Sequence, residues 1–389
     1  MPVVVLSGLR QSGKSTSLTR ESSLKARAYH SLDDFAVMAA AQRDPQSLIE
    51  GAQQVTLDEV QRHPELLTSI KSAVDRARKL GRFLLSGSAN LQLLAQVTET
   101  LAGRAIYLTL YPMTRREIHR KTKTAPALVS LLKDGRPPDS YANEPITQDE
   151  VLIGGLPPVC LEDPKGAPIW FRGYEQTYIE RDVRQLSQIS DLVAFRTFVQ
   201  LAALRTAQVL IVSQLGRDAK LTAQTAHRYL HLLETSFLIN RIPPFLRNRS
   251  SRLIKSPKLY FTDSGLACHL AGVHIDDLHA HDPMWGSLLE TYVVQNVAAI
   301  LEAHAPEAKL SFWHEQGRHE VDLVIEHGRR VVAVEVKAGT QWSRTDLAGL
   351  ETFIERTPQC QIAVLGYNGT KTVPLGDKLW AMPLGALLA

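Results

Sequence analysis

The chain has 389 residues, of which 44% are apolar and 22% charged, and a formal net charge of +4. That length holds two or three cores at roughly 100–200 residues each, and the balance is that of an ordinary globular protein, with a weakly basic surface that allows an anionic partner without requiring one. Cys160, Cys268 and Cys360 are widely spaced and form no CxxC, which argues against a disulfide framework and a zinc site and for core thiols in a reducing compartment. The opening MPVVVLSGLRQ is too short in apolar residues for a signal peptide, and no run of about 18 apolar residues occurs, so the expectation is a cytoplasmic protein with no membrane partner.

In chain order, residues 2–7 (PVVVLS) predict a short strand that runs into a glycine-rich turn and then a helix. Further strands are expected at Val55–Leu57, Phe83–Leu85 and Ile106–Leu110, with helical lengths between them, which implies a parallel α/β sheet. The turn, Gly8 to Ser15, matches GxxxxGK[ST] and sits between strand and helix, as a P-loop must. Gly8 and Gly13 let backbone N–H groups wrap phosphates, with Ser15 and Thr16 opening the helix. Lys14 would hold the β- and γ-phosphates, and Ser15 would coordinate Mg²⁺, so ATP and Mg²⁺ are the expected cofactors.

The strand VTLDE supplies a second element, with Asp58 as the metal-side carboxylate and Glu59 as the group that polarises water. Two acids there predict hydrolysis rather than nucleotide storage. Ser86, in LSGS, reads either as a sensor of the γ-phosphate or as an ordinary strand-end turn. Arg104, in LAGR, is a candidate transition-state cation acting in cis or on a neighbouring subunit, or else a solvated arginine.

Residues 121–150, rich in Lys, Pro, Asp and Asn, read as a linker or exposed insertion. Residues 151–194 read as a helical connector after the turn GGLPP. Between Phe195 and Phe245, three amphipathic segments and a β-like run outline a winged helix-turn-helix, and the segment from Arg247 to Lys258 carries five basic residues and no acid. If residues 221–234 are the second helix of that motif, Thr222, Gln224, Thr225, His227 and Arg228 include its polar face, suited to DNA phosphates, although winged helices also serve as packing lids and protein-binding modules. Tyr260 to Asp263 reads as a buried strand and its capping acid.

The series GLRQSGKST, LDEVQRHPEL, LLSGSANL, LAGRAIYLTLYPMTRREI, YIERDV, KSPKLYFTDSGL, LLETYVVQNV and EVDLVIEHG…VEVKAG resembles the AAA-type P-loop ATPases of bacteria and archaea that carry a C-terminal domain of unknown function. The resemblance covers nearly the whole chain. It implies an α/β multidomain protein: a P-loop NTPase parallel sheet over 1–120, a winged-helix segment over 195–282, and a restriction-endonuclease-like, PD-(D/E)XK-like α/β domain over 283–389. Such proteins usually have some tens of residues before the first strand, including a helix that can cover the base. Here the P-loop begins at residue 8, so either the chain starts late or adenine is held by other parts.

Nuclease sites of that kind place an Asp on one strand, Glu-x-Lys on the next and a further acid on the preceding helix. Asp322 lies on the expected strand VDLVI, His327-Gly328 is a turn, and VVAVEVK is the partner strand, with 13 residues from Asp322 to Glu335. Alternation puts Glu335 and Lys337 on one face. Asp322 and Glu335, with the Val336 carbonyl, would bind Mg²⁺ through hard oxygens, and Lys337 would orient or deprotonate water. Glu290 stands in the family-like position for the additional acid. The alternative is two half-exposed strands whose acids pair with lysine or arginine.

Three functions fit these residues. One is a DNA-associated ATPase whose nucleotide state controls a metal-dependent nuclease domain. Another is a regulatory switch ATPase whose C-terminal domain binds nucleic acid or protein without cutting. The third is a kinase, which the acidic pair and the large appended domains make the least attractive. Self-association is a further expectation, because arginines acting in trans are frequent in such ATPases.

Overall fold

A computed structural model of the protein describes residues 1–87, 99–138, 144–183, 189, 191–246, 255–274, 283–315 and 319–389. The chain divides into two compact units, one formed by Met1–Tyr111 with Thr235–Phe237, the other by most of the chain beyond Pro112.

The first unit is built on a five-stranded sheet of β1 (Val3–Ser7), β2 (Ala28–Ser31), β3 (Val55–Asp58), β4 (Phe83–Ser86) and β5 (Ala105–Thr109), in the order β2-β3-β4-β1-β5. Every pairing is parallel. Helices α1 (Lys14–Arg20), α2 (Phe35–Arg43), α3 (Pro45–Glu50) and α4 (Leu66–Arg76) connect the strands. Val3, Val5, Leu57, Phe83 and Leu85 close a core with Ile49, Leu67 and Ile70 from the helices, so the β-branched runs form the sheet because each buries its apolar face. Strand β2 was absent from the sequence expectation. Its AYHS is only half-buried at the sheet edge and lacks an apolar run.

In the second unit, α5 (Leu192–Ala203), β6 (Gln208–Val209), α6 (Val212–Asp218), α7 (Ala223–Thr235), β7 (Ile239–Ile242) and β8 (Lys258–Phe261) follow one another, and the strands form an antiparallel sheet ordered β6-β8-β7. Gly216 of α6 packs so close to Ala226 of α7 that an added Cβ would meet the alanine methyl at 3.0 Å. Thr222, Gln224, His227 and Arg228 are exposed, whereas Ala226, Tyr229, Leu230 and Leu233 are buried. Of the basic run Arg247 to Lys258, residues 247–254 lie outside the described residues.

Helix α8 (Ser264–Ala271) is capped by Asp263, which accepts from the Leu266 N–H at 2.8 Å and the Gly155 N–H at 2.7 Å. Burial raises its pKa to about 6. After α9 (Pro283–His304) comes a six-stranded sheet, ordered β13-β14-β12-β11-β10-β9. Its strands are β9 (Lys309–Glu315), β10 (His319–His327), β11 (Arg330–Lys337), β12 (Cys360–Tyr367), β13 (Val373–Pro374) and β14 (Leu379–Pro383). The β9-β10-β11 meander is antiparallel, and β12 and β14 add in parallel. Helix α10 (Ala348–Arg356) lies between β11 and β12 in sequence, and its Leu350 and Phe353 bury against Val324, Ala333 and Ala363.

The expected linker over 121–150 is corrected by the fold. It contains a helix, Ala127–Asp134, with Leu128, Leu131 and Leu132 buried. Gln361 on β12 donates to the carbonyls of Leu131 and Leu132, and Arg330 to those of Leu132 and Lys133. The apolar stretch ALVSLL, not the polar residues around it, decides the local structure.

Candidate functional site

The phosphate loop leaves the C-terminal end of β1. Gly8 has φ 139, and a Cβ there would stand 2.2 Å from the carbonyl oxygen of Leu110, so only glycine fits. Gly13 has φ 95 at the start of α1, and Gln11 also adopts a positive φ of 67. This turned backbone folds Lys14 inward. Its Nζ donates to the carbonyls of Gly8 at 3.0 Å and Leu9 at 2.8 Å. Burial lowers the Lys14 pKa to about 8, while Glu59 and Asp58 act to raise it.

Asp58, buried at the end of β3, accepts from the Tyr29 hydroxyl at 2.8 Å and from the Glu59 N–H at 3.1 Å. Glu59 follows with φ 58, a strained value for a non-glycine residue. Its carboxyl meets the Gln61 amide, and burial raises its pKa. Gly13, Lys14, Ser15, Thr16 and Glu59 line one cleft of about 440 Å³, together with Asp33 and Arg62. The hydroxyls of Ser12 and Ser86 are buried and have no hydrogen-bond partner among the described residues. Tyr29 is a site residue that sequence reasoning missed, because it reaches Asp58 from the unexpected strand β2.

Arg104 does not join this cleft. Its carbonyl accepts from the Val3 N–H at 3.1 Å, which sets it at the strand beginnings, the edge opposite the loop that follows Ser7. Its guanidinium is held by Asp75 at 2.7 and 3.0 Å.

The second constellation lies in the C-terminal sheet. Register sets Leu323 of β10 opposite Val334 of β11, so Asp322 and Glu335 stand at the same level. Asp322 Oδ2 accepts from the Val336 N–H at 2.9 Å. Lys337 Nζ is 3.0 Å from Glu335 Oε1 and 3.8 Å from Asp346 Oδ1, in keeping with a shared face for the Glu-x-Lys pair. The acid and amine that the sequence singled out are therefore brought together, with Glu290 of α9 beside them.

A residue not foreseen as part of the site stands among them. Lys258, at the start of β8, has its side chain 3% exposed and places Nζ 3.0 Å from both Glu290 Oε1 and Asp322 Oδ1, and in contact with Glu320. The Tyr260 hydroxyl donates to Glu290 at 2.5 Å. Burial and the nearby Asp322 raise the Glu290 pKa to about 8, and the same two causes raise that of Glu335. Burial acts against the Lys258 charge, but the Asp322, Glu290 and Glu320 carboxylates more than offset it. The signal for Lys258 and Tyr260 was period-two alternation in KLYF, which puts a cation and a phenol on one face of an otherwise apolar strand.

Residues 1–119 match the family described as AAA domain. Residues 146–277 and 285–387 match two domains of unknown function, DUF8612 and DUF4143. Over its full length the chain is 30% identical to an uncharacterized protein of Mycobacterium tuberculosis, covering 81% of it, and equally to one of Mycobacterium bovis. The chain is an AAA-domain ATPase of the same family as these proteins. Among solved structures, a Walker-type ATPase of Pyrococcus abyssi is 16% identical, with 69% of this chain and 91% of that one aligned at a TM-score of 0.41. The parallel sheet and its loop lie within the residues that match the AAA domain. Among the chain's described residues no helix is long and apolar enough to cross a membrane.

Proposed function

We propose that this ATPase couples Mg²⁺-dependent ATP hydrolysis in its first unit to work on DNA, or to control by DNA, through the rest of the chain. The observation that carries the ATPase half is the meeting of Lys14 and Glu59 in one cleft beside the buried Asp58. Lys14, held by two loop carbonyls, would exchange them for phosphate oxygens. The oxygens around it fit a hard divalent ion: Ser15 and Asp58 would hold Mg²⁺, which supplies charge neutralisation on the phosphates when bound. Glu59 orients and polarises the attacking water, its raised pKa suiting it to take a proton. Ser86, whose buried hydroxyl has no partner among the described residues, serves as the sensor.

The DNA half is supported by element order. The described residues between 192 and 261 run helix, strand, two helices and two strands, with β8 between β6 and β7, which is the order of a winged helix. The polar face of α7 is exposed. The C-terminal run of helix, three antiparallel strands, helix and parallel strand supports the restriction-endonuclease-like reading of residues 283–389. A second reading, in which that domain binds nucleic acid without cutting, is favoured by Lys258, whose ammonium lies on the acids that would serve cleavage.

The decisive experiment is paired. Lys14→Ala should abolish ATP turnover, and Glu335→Ala or Asp322→Ala should remove any Mg²⁺- or Mn²⁺-dependent DNA cleavage while leaving turnover intact. Wild-type protein that turns over ATP but cuts no single-stranded, duplex or branched DNA would leave the binding reading. Turnover that survives Lys14→Ala would defeat the ATPase assignment of this cleft.

A further inference from the structure

Glu290, Asp322 and Glu335 come from α9, β10 and β11, whereas Lys258 comes from β8 of the separate three-stranded sheet. Carboxylate oxygens are the hard ligands that Mg²⁺ and Mn²⁺ take, but here the inner oxygens of Glu290 and Asp322 are both spent on one ammonium at 3.0 Å. Glu335 completes the set with one oxygen on Lys337 and the other, Oε2, buried with no hydrogen-bond partner among the described residues. A divalent ion at those oxygens would coincide with the Lys258 ammonium, and like charges exclude each other at such range. With Lys258 seated, these residues do not fit a divalent ion. In agreement, no group of acids and histidines among the described residues is arranged to hold one.

We infer that Lys258 is a resident cation that closes a latent divalent-metal site made by Glu290, Asp322 and Glu335. Removing a buried ammonium leaves uncompensated carboxylates, which must then take protons or another cation. The lysine stands on β8, apart from the helix and the two strands that carry the acids. The inference deepens the nuclease-like reading of this cluster, on which its biological meaning rests, but its test reads metal binding and not cleavage.

The test is Mn²⁺ binding to the full-length, nucleotide-free chain, followed by calorimetry and Mn²⁺ electron paramagnetic resonance. Wild type should show no Mn²⁺ binding that Glu335→Gln removes. Lys258→Met should gain one bound Mn²⁺ per chain that wild type lacks, and adding Glu335→Gln to it should abolish the gain. Mn²⁺ should also raise the melting temperature of the Lys258→Met protein and leave that of the double variant unchanged. Lys258→Gln, which keeps hydrogen bonding to the carboxyls, runs in parallel should the methionine variant not fold. Wild-type binding that Glu335→Gln removes would overturn the inference, as would a folded Lys258 variant binding no more Mn²⁺ than wild type. A Lys258→Met protein that binds Mn²⁺ yet cuts no DNA would sink the nuclease reading and leave this one standing.

Discussion

At the residue scale, the ATP cleft depends on two backbone positions that only unusual φ values allow. Gly8→Ala would drive a Cβ to within 2.2 Å of the Leu110 oxygen, so nucleotide binding should be lost along with local order, as measured by titration with a fluorescent ATP analogue. Glu59 holds its carboxyl toward the cleft from a left-handed conformation. Glu59→Gln keeps the shape and removes the base, so turnover should fall by roughly 10²–10⁴ while ATP affinity stays within a few-fold, separable by single-turnover and equilibrium measurements. Arg104, at the opposite edge of the sheet and bound to Asp75, has no part in its own chain's cleft. Arg104→Ala should leave turnover of dilute protein unchanged. A loss that grows with protein concentration would instead place it in a neighbour's site.

At the scale of elements, the buried helix Ala127–Asp134 and the capped α8 make the strongest stability predictions. Leu131 is fully buried, and Leu131→Ala should destabilise the second unit by about 2–5 kcal/mol in chemical denaturation. Asp263 offers a pH test. Its folded pKa, about 6, lies above the unfolded value of 3.8, so its contribution to stability is fully present below pH 3.8 and is lost as pH rises through 6. The stability of wild type relative to Asp263→Asn should therefore decline between about pH 4 and pH 6, by up to roughly 3 kcal/mol. A difference that grows over this range would contradict the burial account.

The same scale shows what a sequence can disclose. Strands β1, β3, β4 and β5 were legible because each is an apolar run at a buried position, and the P-loop because its glycines and lysine are contiguous. Strand β2 was not, since an edge strand need bury little and its AYHS alternates without a hydrophobic face. The partners of Asp322, Glu335 and Lys337 were half legible: hairpin spacing and alternation put those three together. Lys258 stands 32 residues before Glu290 and 64 before Asp322, so no local pattern links them. Only tertiary packing brings that lysine to the acids, and the surrounding basic run made it read as one more surface cation.

In the whole molecule an AAA-domain ATPase is joined to a polar helix pair and an acidic cluster closed by a lysine, and DNA is what we propose they serve. Contacts made through Arg228, His227 and the basic run would be largely with phosphates, so affinity for duplex DNA should fall steeply with salt, by about 10³–10⁵ between 50 and 200 mM if six to ten phosphates are engaged and less in proportion for fewer. Steady-state ATP turnover with Mg²⁺, measured with and without duplex DNA at low salt, is the most direct test of the link. Coupling to DNA requires a DNA-dependent change in turnover that disappears at high salt and in Arg228→Ala. Turnover that is the same with and without single-stranded, duplex or branched DNA at low salt would contradict it.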